Sequence, residues 1–251
     1  MTGLGVLIKK EIREQLKTYR FLIVAGVFLF FGLSTPLLIK YLPELLELAG
    51  EDIIIDLPPP TALMALQEYS DTILQVGILV VVLVTMGAVA RERERGTAQM
   101  VLSKPVDRGA FVGAKLVGIS LSFLVALGLA SVASYIYTVM LLGEVDVGAF
   151  LALNLLLGLF FVTAIAITLL FSSLFKNQLA AGGVALVALV GQAVLTQIPW
   201  IGDYVPAALP GWGMGLLAGP HPAAWGAVAV SIVVIGVSLY LSRLKLNRTE
   251  I

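Results

Sequence analysis

The chain has 251 residues, 59% of them hydrophobic and 13% charged, and a mean hydropathy of +1.00, which excludes an ordinary soluble domain and describes an integral membrane protein. Zero cysteines exclude a disulfide scaffold and a thiolate metal site, and the single histidine, His221, excludes a multi-histidine site. The formal net charge of zero conceals a segregation of acids from bases along the chain.

The opening residues predict an amphipathic helix. Leu4, Ile8, Ile12 and Leu16 recur every four positions with Leu7 beside them, while Lys9, Lys10, Arg13, Glu14 and Lys17 fall mostly elsewhere around the wheel. Such a helix lies along a membrane interface before the chain turns inward. The charged stretch is too long, and the apolar run after it long enough, for a cleavable signal peptide to be the better reading.

A bilayer core about 30 Å thick needs roughly 20 apolar residues in a helix, and six runs qualify. They cover about 21–39, 73–90, 116–142, 147–175, 179–198 and 223–241. Between the first two, residues 56–71 (DLPPPTALMALQEYSD) predict a stiff polyproline corner and a short helix starting near Thr61. With six spans, the basic residues before the first span, between the second and third, after the fourth and after the sixth share one face. Lys40 alone falls on the other, where the acids gather from Glu44 to Asp203. Positively charged loops stay in the cytoplasm, so both termini are expected there.

The loop 91–115 is the longest polar interruption. The second span is expected to continue as a helix through ARERER, with Arg91 and Glu94, and Glu92 and Arg95, spaced to pair. Gly96 breaks it, Thr97 caps a short helix exposing Met100, Val101 and Leu102, and Pro105 stops that helix. Asp107 caps the next helix, which starts at Arg108 and carries Lys115 into the third span. Two breaks around a compact apolar turn suit docking to a cytoplasmic protein better than a loop that only sets topology. Beyond the fifth span, residues 198–222 hold too much Pro and Gly for a membrane helix. Short helical or re-entrant pieces are expected, packed as a cap over the outer mouth.

Chemistry is sparse inside the spans. No acid, base or histidine lies within them to serve a proton relay or a metal, and the polar residues there are neutral. Most serve helix packing; Thr163, Thr168, Gln192 and Thr196 are candidates for lining a pathway. GAFVGAKL at residues 109–116 has the wrong spacing for a phosphate-binding loop, and no serine sits in a G-x-S-x-G turn. No catalytic, cofactor or metal site is expected in this chain, nor a nucleic-acid partner.

IKKEIREQLKTYRFLIV (8–24) and ERERGTAQMVLSKPVDRGAFVGAK (92–115) together resemble the permease subunits of type-2 ABC transporters, with their amphipathic elbow helix and their coupling helix after the second span. SSLFKNQLAAG (172–182) is similar to the family's short cytoplasmic turn after the fourth span. The resemblance implies an all-α, six-span permease domain over 1–251 in the cytoplasmic (inner) membrane, surrounded by lipid. It implies pairing with a second permease copy or a related one, and two separate ABC ATPase subunits that hold the ATP and magnesium. By position it assigns Glu94, Gly96, Thr97, Met100, Leu102, Pro105 and Arg108 to the ATPase contact, while Ala98 and Gln99 depart from residues frequent in the family. Export is the expected direction, and a neutral pathway suits a hydrophobic or amphiphilic cargo. The competing reading is a non-transporting membrane anchor whose loop recruits a cytoplasmic protein.

Overall fold

The computed structural model describes residues 4–48, 59–94, 107–219 and 222–248, and every regular element among them is helical. In chain order these are α1 (Leu4–Lys17), α2 (Arg20–Leu48), α3 (Ala62–Thr85), α4 (Ala90–Glu94), α5 (Arg108–Leu142), α6 (Val147–Leu174), α7 (Gln178–Leu195), α8 (Leu209–Ala218) and α9 (Trp225–Arg248), with two 3₁₀ turns at Gly202–Tyr204 and Pro206–Ala208. Six of the helices, α2, α3, α5, α6, α7 and α9, are long and apolar enough to cross a membrane. The protein is an all-α, multi-pass membrane protein.

Local sequence explains most helix starts. Thr61 accepts from Met64 N–H at the head of α3, Asp107 from Gly109 N–H at the head of α5, Asp146 from Ala149 N–H ahead of α6, and Asn177 from Leu179 and Ala180 ahead of α7. Between α1 and α2 the chain reverses at Thr18 and Tyr19. The Thr18 hydroxyl donates to the Glu14 carbonyl, and Tyr19 takes a left-handed φ of 58° that a side chain rarely adopts.

Three boundaries differ from the sequence expectation. The first span does not end near residue 39, because α2 runs through Pro36 and Pro43 to Leu48. Apolar surroundings keep a helix intact across proline. The helix expected near Thr61 is not a separate short piece; α3 starts there and continues unbroken into the apolar run. At its other end α3 does not continue through ARERER. It stops at Thr85, residues 86–89 form a turn, and α4 begins at Ala90.

A helix hydrophobic all round gains little from burial against other helices in lipid, so close packing and interhelical hydrogen bonds hold the bundle. The most buried span is α6. Its Phe161 packs with Phe28 of α2 and Phe123 of α5 at centroid separations of 5.6 and 6.4 Å, and Phe28 meets Phe123 at 5.8 Å, edge to face. On the same span Asn154 accepts a 2.8 Å bond from the fully buried Tyr69 of α3 and donates to its own Phe150 carbonyl.

Between α7 and α9 the chain forms two 3₁₀ turns and the ten-residue α8, which packs against α3 and α6 at one end of the bundle. Gly213 brings α8 onto α6: a Cβ there would stand 2.8 Å from Leu153 Cα, so only glycine fits the approach. Trp212 meets Trp225 at the head of α9 edge to face, with centroids 5.3 Å apart. This end is the acidic face; α1 and the last turn of α9 lie at the opposite, basic face.

Candidate functional site

The polar loop after α3 enters and leaves the basic face through two moorings. At its entry, the turn after Thr85 leaves the amides of Val89 and Ala90 without helical acceptors. Ser172 of α6 accepts from both, at 3.0 and 3.1 Å, and donates to the Met86 carbonyl at 2.8 Å. One buried hydroxyl thus satisfies three backbone groups. Arg91 Nε adds a 3.2 Å bond to Gln178 Oε1 at the start of α7. At its exit, Asp107 caps α5 and lies 3.4 Å from Arg243 of α9, while Arg108 donates from its guanidinium to the Leu246 carbonyl in the last turns of α9.

Between the moorings sits an ion cluster. Lys115, only 2% exposed, places Nζ 2.7 Å from Glu92 Oε1 of α4 and 3.3 Å from Glu11 Oε1 of α1, and stands over the Phe111 ring at 5.0 Å. Lys10 contacts Glu11 at 3.0 Å, Glu14 at 3.3 Å and Glu92 at 3.9 Å. Burial lowers the Lys10 pKa, but the hydrogen bond to Glu11 and the charges of Glu11, Glu92 and Glu14 outweigh it and hold the ammonium above the usual lysine value. The carboxylates of Glu11, Glu14 and Glu92 converge within 4.8 Å, a spacing that would suit a metal ion. Here the two lysine ammoniums offset two of the three negative charges.

The cluster fixes which side of α1 meets the bundle. Its buried residues are Glu11 and Gln15, while Leu4 and Leu16 of the apolar stripe are exposed. Gly118 of α5 makes the contact close, since a Cβ there would lie 2.8 Å from Glu11 Cβ. A polar pocket of about 360 Å³ opens beside the cluster, lined by Glu14, Arg20, Arg91 and Lys115 among others.

Of the residues assigned by sequence to the loop contact, Glu94 is exposed at the end of α4 and Arg108 forms the exit mooring. Gly96, Thr97, Met100, Leu102 and Pro105 lie outside the described residues, as does the short helix expected there. Of the four residues suggested for a pathway, Thr163 and Thr168 are buried and donate to the Leu159 and Ala164 carbonyls of their own helix. Gln192 is half-buried on α7, with Oε1 buried and without a partner. Thr196 lines a cleft of about 530 Å³ at the acidic face. Sequence reasoning missed Ser172 as the entry mooring and Lys115 with Glu11 and Glu92 as an ion cluster. A lysine at the head of an apolar run was the one available signal for it.

The chain is thus a multi-pass helical membrane bundle whose polar loop is moored at both ends on one face. The family described as "ABC-2 family transporter protein" matches over residues 6–208, and the chain belongs to it. It is 27% identical over 219 residues to the "Uncharacterized transmembrane protein YxlG" of Bacillus subtilis (strain 168), covering 83% of each chain. Association with an ABC ATPase partner goes with this family in general.

Proposed function

We propose that this chain is the permease subunit of an ATP-driven exporter in the cytoplasmic membrane, with the basic face and both termini in the cytoplasm. Two copies, or one copy and a related subunit, pair in the membrane and receive two separate ATPase subunits. The ATPases bind the ATP and magnesium and grip the segment between Glu94 and Arg108, including Gly96, Thr97, Met100, Leu102 and Pro105. The observation that carries this reading is the double mooring of the loop. Force applied to it reaches α6 and α7 through Ser172 and Gln178, α9 through Arg108, and α1 and α5 through Lys115. A loop that served only topology would have no use for fixed attachments to that many helices.

The test is purification from native membranes followed by assay of ATP turnover. An ABC ATPase co-purifies, and Met100→Glu or Gly96→Pro abolishes permease-stimulated hydrolysis while membrane insertion persists. Recovery of no nucleotide-binding protein, or full stimulation by both variants, overturns the proposal.

A further inference from the structure

The cleft at the acidic face has a polar end and an apolar end. Gln67, Ser70 and Asp71 of α3 line it near the membrane surface, opposite Thr196 and Gln197, which follow α7. One to two turns deeper the lining turns apolar, with Leu74, Ile78, Phe160 and Leu189, and Met214 of α8 closes one side. Asp71 is the sole charged residue of the lining, and no Lys or Arg among the described residues pairs with it. Asp71 is exposed at the mouth of the cleft, so its charge is open to a cation arriving from outside, with no counter-ion among the described residues in competition.

From this gradient we infer that the cleft binds a small cationic amphiphile, with its positive head on Asp71 and its tail between α3, α6 and α7. The dimensions agree. Asp71 to Ile78 spans about 10 Å along a helix, close to the length of a ten-carbon chain. The cleft volume of about 530 Å³ lies within the range of sites for single drug-sized molecules. The lone negative charge excludes anionic heads, and the neutral groups beside it offer hydrogen bonds to an ammonium or its hydration shell. Binding stands by itself; that the bound molecule is cargo rests on the export reading above.

The full chain in phosphatidylcholine nanodiscs is titrated calorimetrically with decyltrimethylammonium below its micelle concentration, with decanol and decyl sulfate as neutral and anionic counterparts. Saturable binding of the cation alone is expected, weakened about tenfold by Asp71→Asn, the worth of one moderately screened charge pair. Met214→Trp, which fills the cleft without touching the charge, weakens it as well and decides the matter if Asp71→Asn fails to fold. Equal affinity in wild type and both variants overturns the proposal, as does equally tight binding of decyl sulfate. So does mass-spectrometric detection of a co-purified phosphatidylethanolamine that the probe cannot displace, which assigns the cleft to a structural lipid. Tight binding without any stimulation of a recovered ATPase would sink the cargo reading and leave the site in place.

Discussion

Lys115 Nζ lies 2.7 Å from Glu92 Oε1, and this contact ties α5, about two turns from its start, to the helix that enters the polar loop. The same ammonium reaches Glu11 at 3.3 Å, so three elements distant in sequence converge on one nearly fully buried cation. Removing one partner of a buried ion cluster leaves the others uncompensated, at about 3–5 kcal/mol. Lys115→Met is therefore expected to destabilise the protein by about 3 kcal/mol in denaturing-detergent titration. Adding Glu11→Gln recovers part of the loss, because the stranded carboxylate is then gone. A double variant no more stable than Lys115→Met would contradict a cluster bound by charge.

Ser172 makes a second prediction. Ser172→Ala leaves the Val89 and Ala90 amides and the Met86 carbonyl without their shared partner, at an expected cost of about 2 kcal/mol. The loss concentrates locally, so hydrogen exchange over residues 86–94 should accelerate before the rest of the bundle opens. Thr168→Ala is the control. It removes a hydroxyl that only back-bonds to its own helix, and its effect should stay under about 1 kcal/mol.

Gly118 tests the seat of α1. A Cβ at this position meets Glu11 Cβ, an atom fixed to its own backbone that no rotamer change can move. Gly118→Val should push α1 off α5 and break disulfide cross-linking between cysteines placed at Gln15 and Ile119. ATP turnover in the complex should fall with every loop residue intact. Undiminished cross-linking would show that α1 slides to accommodate the methyl groups.

The pH response of Lys10 has a definite sign. Its folded pKa lies above the ordinary 10.5, so the stabilisation it provides is complete below that value and is lost as pH rises through the higher folded one. Between pH 6 and 9 the Lys10 contribution to the attachment of α1 should not vary. Comparing wild type with Lys10→Gln by the same cross-link across that window checks this, and a difference that changes with pH inside it would contradict the assignment.

Local chemistry was legible in the sequence and distant chemistry was not. The caps at Thr61 and Asp107 act within three residues, so residue type and position sufficed to place them. The six spans followed from apolar length alone. The break after Thr85 escaped notice because its cause, Ser172, lies 83 residues from Val89. ARERER promises a continuous helix to any reading confined to neighbours. The inward side of α1 escaped for a related reason: its apolar stripe is plain in the periodicity, but the carboxylate of Glu11 is held inward by Lys115, 104 residues away, with Gln15 buried one turn further on. Thr163 and Thr168, suggested for a pathway by their polarity, sit in the packed interior of α6, and nothing in one chain's pattern separates a hydroxyl turned on its own helix from one turned to a cavity.

The exit mooring also sets a limit on rebuilding the molecule. Arg108 holds the Leu246 carbonyl, 138 residues on, and Asp107 faces Arg243, so the stretch that follows the polar loop is latched to the closing turns of α9. A chimera that imports residues 91–115 from a relative would bring a foreign latch to a native catch. Such grafts should work only when the closing turns of α9 travel with them, and trimming the chain before Leu246 should resemble a loop defect even though no loop residue has changed.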